Sequence, residues 1–265
     1  MGVLNVTPDS FSDGGAFLDP PAAIAHGRRM VAEGADLVDV GGESTRPGAL
    51  PVQAAEELER VMPALQALAA AGVPLSIDTS KAAVAQAATA AGAVLVNDVT
   101  ALRGDPEMAG VVMTSGADVC LMHMRGEPRT MQDDPRYGDV VSDVKAFFEE
   151  RLEFAVAEGI DEGRVWLDPG IGFGKTLEHN LELLRRLDEI VALGRPVVVG
   201  VSRKRFLGAL TGRDEAGRLA GGLAANVLAF ERGAHMFRVH DVAPTREALA
   251  VAAATVGGAA HAEPR

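Results

Sequence analysis

Residues 74–98 read PLSIDTSKAAVAQAATAAGAVLVND, and this stretch contains the repeating unit that decides the fold. The apolar run Pro74–Ile77 ends in a polar pair that begins with Asp78, and the alanine-rich stretch Ser80–Ala91 leads to a second apolar run, Val94–Val96. Short β-branched runs are typical of buried strands, and a helical stretch between two of them connects parallel strands. The stretch therefore predicts a strand, a helix and a second, parallel strand.

The same alternation occurs eight times along the chain. The other six apolar runs are Gly2–Val6, Asp36–Val40, Asp118–Met122, Val165–Leu167, Pro196–Val201 and Met236–Val239. Eight such units within 265 residues favour an α/β fold with a single closed (β/α)8 barrel, a TIM barrel. We expect the barrel to occupy residues 1–256 as one domain and residues 257–265 to form a flexible tail. Polar residues follow each run, and because active sites of such barrels lie at the carboxyl ends of the strands, they predict one shared pocket.

The helical stretches between these runs are well marked by their ends. The predicted helices are Pro21–Glu33, Val52–Ala71, Ser80–Ala91, Ser142–Glu158, Glu178–Leu193, Glu215–Arg232 and Ala243–Ala254, with a weaker one between Asp105 and Ser115. Most are followed by glycine, which commonly ends a helix, and Ser80 is a candidate cap. The loops Thr7–Pro20 and Arg125–Tyr137 are long for this fold, and the first has the composition of a mobile flap over a site.

Composition excludes several classes of protein. The net charge of −12 disfavours nucleic acid or an anionic membrane as a partner. No apolar stretch reaches the roughly 18–20 residues that a membrane span needs, and the N-terminus does not read as a signal peptide. Cys120 is the single cysteine and lies in an apolar run, so we expect a buried thiol, no disulfide and a reducing, cytoplasmic location.

Two carboxylates and an amide follow strands at equivalent points: Asp78, Asp168 and Asn97. Converging groups of this kind can bind a metal, act as acid and base, or hold a flat heterocycle with several N–H donors. The last choice has a clear rationale, because a carboxylate accepts two parallel N–H bonds from a guanidine-like edge. Helix caps or loop hydrogen bonds are the simpler alternative for any one of them.

Basic residues occupy other strand ends. They are Arg46, Arg203, Lys204, Arg238 and His240. A single surface arginine is usually a solvated charge, but several around one mouth indicate an anion such as phosphate or diphosphate. Ser44, Thr45 and the turn Pro47–Gly48 add hydroxyl and N–H donors. A diphosphate often brings Mg²⁺, which takes oxygen ligands, and Asn5 offers one carbonyl oxygen.

Covalent catalysis by the protein is not indicated. There is no Gly-x-Ser-x-Gly motif, Cys120 is expected to be buried, and Ser202 has no obvious adjacent base. The sequence around Lys175 resembles a phosphate-binding loop but lacks its first glycine. We interpret it as a glycine-rich turn at the pocket, where Phe173 either stacks on an aromatic ligand or packs in the core, and His123 as a core histidine.

The ordered motifs resemble those of dihydropteroate synthase, the pterin-binding family of folate biosynthesis, over nearly the whole chain. They are MGVLNVTPDSFSDGG (residues 1–15), DVGGESTRPG (39–48), SIDT (76–79), NDV (97–99), DPGIGFGK (168–175), SRK (202–204) and RVHDV (238–242). Family members commonly carry residues ahead of the first strand, and this sequence begins almost inside it. The resemblance therefore implies a TIM barrel that lacks most of that segment.

The resemblance implies a transferase that condenses 6-hydroxymethyl-7,8-dihydropterin diphosphate with 4-aminobenzoate, usually as a homodimer. It implies a pterin pocket of Asp78, Asn97, Asp168 and Lys204, with Met122 also in the substrate site, and Asn5 as the Mg²⁺ contact. It implies diphosphate contacts from Thr45, Arg46, Arg238 and His240, and aminobenzoate walls from Ser202, Pro47, Phe11 and Phe173. Asp9 and Asp13 would lie on a flap, and the catalytic set would be Asp13, Asp9, Arg46 and Lys204. We expect sulfonamides, which mimic aminobenzoate, to bind as well.

Our mechanistic hypothesis starts with early cleavage of the C–O bond to diphosphate, which leaves a pterin-methyl cation. Basic side chains and Mg²⁺ then stabilise the departing charge. Flap carboxylates, chiefly Asp13, offset the cation before the aniline nitrogen attacks.

Two other functions fit part of the pattern. Pterin-dependent methyl transfer to a corrinoid uses a related barrel, but has no evident use for the turn at Thr45–Gly48 or for Arg238 with His240. A pterin-binding regulator or scaffold would bind ligand without turnover. Diphosphate release on mixing both substrates separates the synthase from the methyltransferase, and a regulator or scaffold is distinguished by ligand binding without turnover.

Overall fold

The computed structural model describes residues 1–7, 20–44, 49–127 and 129–256. The strands are β1 (Gly2–Asn5), β2 (Val38–Gly41), β3 (Leu75–Asp78), β4 (Leu95–Asp98), β5 (Asp118–Met122), β6 (Val165–Asp168), β7 (Val198–Val199) and β8 (Met236–Phe237). The helices are α1 (Pro20–Ala32), α2 (Ala54–Ala70), α3 (Ala82–Ala90), α4 (Met108–Ser115), α5 (Val140–Ala157), α6 (Leu177–Arg185), α7 (Leu187–Val191), α8 (Arg205–Thr211), α9 (Leu219–Glu231) and α10 (Val242–Val256).

All strand pairs are parallel and follow chain order. β1 to β6 form one six-stranded sheet, and β7 pairs with β8. Single parallel bridges link the two sheets at both seams, from Leu167 to Val197 and from Gly2 to Val239. The strand order around the molecule is therefore that of the predicted (β/α)8 barrel, with full ladders from β1 to β6 and single bridges at the two seams.

The last two strands are shorter than the sequence predicts. The runs Pro196–Val201 and Met236–Val239 contribute only two paired residues each. Their ends pair across the seams instead: Leu167 N donates to Pro196 O at 2.9 Å, and Val3 N donates to Val239 O at 3.0 Å. The other strands lie within two residues of the predicted runs.

Three helix predictions need correction. The predicted helix Glu178–Leu193 divides into α6 and α7 at Arg186, whose backbone leaves helical geometry with φ −112° and ψ 31°. Helix α8 was not predicted from the sequence. Ser80 does not cap α3, because that helix begins at Ala82, whose N–H donates to the Asp105 carboxylate at 2.9 Å.

Two apolar layers hold the barrel together. The larger one lies between the sheet and the helices and includes the fully buried Leu4, Leu65 and Phe148. A second cluster fills the interior toward the amino ends of the strands, from Met1 and Leu37 to Leu95, Cys120 and Val198. Burying a Met, Leu or Val side chain in this way stabilises the fold by about 1.5–3 kcal/mol. Cys120 is buried there as a free thiol, as predicted. Across the described ranges, helices of the length and apolarity required to cross a membrane do not occur.

Candidate active site

A cavity of about 740 Å³ opens at the carboxyl ends of the strands, where the sequence predicts the pocket. Its lining includes Asn5, Asp78, Lys204, Arg238 and His240. A smaller recess of about 60 Å³ continues toward the barrel interior and is lined by Asn97, Met122 and Asp168, among others. The strands thus bring together nearly all the described residues that the sequence assigns to the site.

The carboxylates and the amide form the floor of this pocket. Asp78 and Asn97 are register partners on β3 and β4, and Asp168 is the partner of Met122 on β6 and β5. All three polar residues are buried. Asp168 Oδ1 accepts a hydrogen bond from the Gly170 N–H at 2.7 Å, which fixes the side chain at the start of the glycine-rich turn. Burial raises the pKa of the Asp168 carboxyl, and nearby Lys204 opposes that effect.

Arg238 crosses the floor from β8. Its Nε donates to Asp39 Oδ2 at 2.6 Å and its Nη2 donates to Asp78 Oδ2 at 2.7 Å. Asp39 Oδ2 also accepts from Asn97 Nδ2 at 3.0 Å. Burial raises the pKa of Asp78 to about 7, while the Arg238 guanidinium acts in the opposite direction. The floor is therefore one connected network of acids, amide and guanidinium.

Lys204 lies immediately before α8 and faces Asp168. Its ammonium donates to the carbonyl oxygen of Ile171 and lies 4.7 Å from the centre of the Phe173 ring. Burial lowers the pKa of Lys204 to about 8, and Asp168 opposes the shift. An ammonium has three donors, so this side chain keeps donors for a ligand.

The loops after β7 and β8 are joined by hydrogen bonds. His240 Nδ1 lies 3.0 Å from Ser202 Oγ, so the expectation that Ser202 has no adjacent base is wrong. The same hydroxyl oxygen accepts from the His240 N–H at 3.2 Å. Arg203, between Ser202 and Lys204, has a left-handed backbone with φ 58° and donates to both oxygens of Asp241, at 3.2 and 2.8 Å. Arg203 lines the cavity with the other predicted anion-binding residues that the structure describes, and its guanidinium is held in this ion pair with Asp241.

A second buried cluster lies behind Phe173. Lys175 Nζ is 2.9 Å from His123 Nδ1 and donates to His123 O at 3.3 Å and to Phe173 O at 3.0 Å. Burial lowers the pKa of His123 to about 2, with Lys175 as the next cause, so the imidazole is neutral. His123 is a core histidine, as the sequence suggests, and it anchors the glycine-rich turn.

Several predicted site residues lie outside the described ranges. They are Asp9, Phe11, Asp13, Thr45, Arg46 and Pro47. Their roles, and the flap over Thr7–Pro20, stay predictions.

The structure adds one residue that sequence reasoning missed. Asp39, on β2, is fully buried and contacts both Asn97 and Arg238. The signal was present, since a charged residue between Val38 and Val40 interrupts an apolar run. Val99 also lines the recess but carries no chemical signature that a sequence pattern reveals.

The oxygen-rich edge near Asn5 is chemically suited to Mg²⁺. A Cβ placed on Gly41 would lie 3.6 Å from both Asn5 Oδ1 and Asp78 Oδ2, so the missing side chain keeps the space between these oxygens open. No group of three or more His, Cys, Asp or Glu residues suited to a metal occurs among the residues that the structure describes. An ion here would therefore draw further ligands from substrate oxygens and water, as Mg²⁺ commonly does.

Comparison with known proteins identifies the family. Residues 1–240 match the family described as pterin binding enzymes. The chain is 46% identical to the dihydropteroate synthase of Escherichia coli (strain K12) over 257 residues, 97% of this chain and 91% of that protein. The dihydropteroate synthase of Yersinia pestis, solved with a sulfonamide drug, superposes with a TM-score of 0.95 at 47% identity, covering 97% of this chain and 94% of that one. The Xanthomonas albilineans dihydropteroate synthase, solved with 4-aminobenzoic acid, gives 0.88 at 50% identity, over 100% of this chain and 93% of that one.

Proposed function

The chain belongs to the pterin-binding enzyme family, and we propose that its barrel mouth carries out the dihydropteroate synthase reaction. In this transferase reaction of folate biosynthesis, 6-hydroxymethyl-7,8-dihydropterin diphosphate condenses with 4-aminobenzoate, giving 7,8-dihydropteroate and diphosphate. The observation that carries the proposal is the connected floor, in which acceptors for a flat N–H-rich ring lie directly beside cations for its leaving group.

The ring is held by complementary hydrogen bonds. Asp168 and Asp78 accept from its amino and ring N–H groups, and Asn97 contributes its amide. A carboxylate facing a guanidine-like edge makes two parallel bonds, which fixes the plane of the ring as well as its position. Lys204 donates to ring acceptors from above the Phe173 face, while Met122 packs at the bottom of the recess.

Departure of diphosphate is an electrostatic task. Arg238, Lys204 and His240 all line the pocket and supply positive charge or N–H donors, with Arg46 and Thr45 assigned to the same role. Their charge favours early cleavage of the C–O bond, and the electron pair leaves with the diphosphate oxygen. The remaining pterin-methyl cation is stabilised by the buried carboxylates of the floor and by Asp13 and Asp9. Preorganised charges in a pocket shielded from water need no reorganisation during the step.

The second substrate attacks that cation. Phe173 and Ser202 form the described part of the aminobenzoate site, with Phe11 and Pro47 as its other assigned walls. The aniline nitrogen forms the new C–N bond and releases a proton to solvent. Positioning and water exclusion matter most here, because the nucleophile is weak and water competes for the cation. The same pocket gives sulfonamides a site.

Mg²⁺ belongs beside Asn5. The amide oxygen would hold it together with diphosphate oxygens and waters, and the ion would neutralise charge on the leaving group.

A homodimer in the cytoplasm completes the proposal. Exposed apolar side chains occur on the helices after β7 and β8: Leu210, Leu219, Leu228, Val251 and Val256. A subunit interface would remove such side chains from water. The net charge of −12 and the single buried cysteine suit a cytoplasmic enzyme without nucleic-acid or membrane partners.

Diphosphate release is the experiment that tests this function. Purified enzyme with Mg²⁺ and the dihydropterin diphosphate should release diphosphate at a rate that rises at least about tenfold on adding 4-aminobenzoate, with dihydropteroate as the product by mass spectrometry. Asp168→Asn should lower kcat/KM by about a hundredfold, because a buried charge-assisted contact to the ring is lost. The matched control is Asp118→Asn, at the amino end of β5, where the side chain accepts from Trp166 Nε1 at 3.0 Å and an amide oxygen can do the same. Ligand binding without diphosphate release would contradict the proposal and favour a pterin-binding scaffold. Methyl transfer to a corrinoid without diphosphate release would favour the related methyltransferase.

A further inference from the structure

Asp39 lies on β2, directly behind the Asn97 and Arg238 side chains that line the recess. It is fully buried, and its Oδ1 has no hydrogen-bond partner among the described residues. The other carboxylate oxygen, Oδ2, accepts from Asn97 Nδ2 at 3.0 Å and from Arg238 Nε at 2.6 Å. One oxygen atom therefore contacts two residues that face the ligand.

The contact to Asn97 fixes the direction of its amide. A carboxylate in an ion pair has only acceptor oxygens, so the NH2 end of Asn97 must point to Asp39. The carbonyl end is then left for the pocket, where it joins the acceptors of Asp78 and Asp168. Without this partner the amide is free to rotate, and a rotated amide presents donors to ring N–H groups.

The contact to Arg238 fixes a guanidinium in the same way. Nε is occupied by Asp39 and one donor of Nη2 by Asp78, at 2.7 Å. Within the described ranges no acceptor contacts Nη1, which leaves its two N–H groups for an anion. Buried ion pairs add little net stability compared with apolar packing, so stability alone does not account for an acid at this position.

We propose that Asp39 is a positioning residue for the reaction, fixing which end of the Asn97 amide faces the ring and holding Arg238 between the ring floor and the leaving diphosphate. The proposal rests on the function proposed above. It makes Asp39 the link that couples recognition of the ring to stabilisation of the leaving group, although it contacts neither.

The test is Asp39→Asn, which keeps the size of the side chain and an acceptor oxygen but removes the negative charge that holds the Arg238 guanidinium and the Asn97 amide at one oxygen. Calorimetry with 6-hydroxymethylpterin, which carries no diphosphate, should give a Kd about tenfold higher than the parent, because a neutral amide holds the Asn97 side chain and Arg238 less tightly than a carboxylate does. The kcat/KM for the dihydropterin diphosphate should fall by about a hundredfold, since Arg238 is loosened as well. The KM for 4-aminobenzoate should stay within about twofold, a split that a general loss of structure would not produce.

Ser76→Ala is the matched control. Ser76 is the register partner of Asp39 on β3, is equally buried, and its hydroxyl has no partner in the described part of the chain. Its removal should leave all three quantities within about twofold of the parent. Asn97→Ala and the double variant measure whether the two residues act together. If Asp39 acts through Asn97, adding Asp39→Asn to Asn97→Ala should raise the Kd for 6-hydroxymethylpterin by less than about threefold.

Each outcome decides the matter. A Kd for Asp39→Asn within about twofold of the parent overturns the proposal. So does a double variant whose Kd for 6-hydroxymethylpterin rises by the product of the two single-variant increases. Asp39→Ser is the second variant, and loss of folding by circular dichroism in both would show that Asp39 acts in the fold and overturn it as well. If the parent itself neither binds the pterin nor releases diphosphate, the proposed function fails. A working parent with an unaffected Asp39→Asn variant rejects the positioning role alone.

Discussion

Two lysines around the glycine-rich turn show how differently the same side chain is used. Lys204 donates to the carbonyl of Ile171 and lies over the Phe173 ring, and its ammonium makes no other hydrogen bond within the described ranges. Lys175 Nζ lies between three polar atoms, His123 Nδ1 at 2.9 Å, His123 O at 3.3 Å and Phe173 O at 3.0 Å. Burial lowers the pKa of both ammonium groups. Both lysines line the cavity, and we expect Lys204, which has fewer hydrogen-bond partners among the described residues, to be the one that contacts the ligand.

Replacing Lys204 with methionine should have the largest effect on catalysis. Lys204→Met removes a cation and its donors from the ring and diphosphate, so kcat/KM for the dihydropterin diphosphate should fall by at least about a hundredfold. The fold should tolerate the change, with the free energy of unfolding within about 1 kcal/mol of the parent, because one carbonyl contact is exchanged for relief of a desolvated charge. Steady-state kinetics and urea unfolding measure the two effects. If Lys204→Met were active but unstable, Lys204 would be the lysine that stabilises the fold, which contradicts the comparison.

The pH dependence should report the same lysine. Burial holds the pKa of Lys204 at about 8, so the side chain is a cation below that pH and becomes neutral above it. Because kcat/KM reports the free enzyme, it should fall about tenfold per pH unit above roughly pH 8. Lys204→Arg is the matched variant, since a guanidinium stays charged, and it should remove this basic limb. An unchanged limb in Lys204→Arg would assign the titration to another group.

Replacing Lys175 should act mainly on stability. Lys175→Met leaves the carbonyls of His123 and Phe173 without a donor, which should lower the free energy of unfolding by about 2 kcal/mol after the gain from removing a buried charge is included. Turnover should fall less than about tenfold, through looser placement of Phe173. Urea unfolding of this variant beside Lys204→Met makes the comparison direct. A catalytic loss as large as that of Lys204→Met, with stability unchanged, would show that Lys175 contacts substrate.

The sequence predicts strands β1 to β6 better than β7 and β8, the two strands that join the ends of the six-stranded sheet. Runs of β-branched residues followed by a polar residue locate β1 to β6 within two residues, because burial on both faces demands an unbroken apolar run. The two short strands at the end were overestimated, since their hydrogen bonds cross to β6 and β1 and no local pattern encodes a partner. Helix α8 was missed for a similar reason: its seven residues are too few for a clear period.

The site shows the same division. Asp78, Asn97 and Asp168 follow from their place after strands, which the barrel converts into proximity. The connection of Arg238 to Asp39, 199 positions earlier in the chain, does not follow, because it depends on how β8 meets β2 across the barrel interior. The hydrogen-bond partners of Lys175 could not be predicted from the sequence either, since two of them are backbone carbonyls that a sequence motif does not distinguish.

A crystal structure with 7,8-dihydropteroate tests the central claim most directly. Our account predicts the ring within about 3 Å of the Asp168 and Asn97 side-chain polar atoms and of Lys204 Nζ, with Lys175 still bound to His123 and Phe173. A ring bound away from Asp168 and Asn97, or one that takes Lys175 Nζ as its donor while Lys204 stays on Ile171, would contradict it.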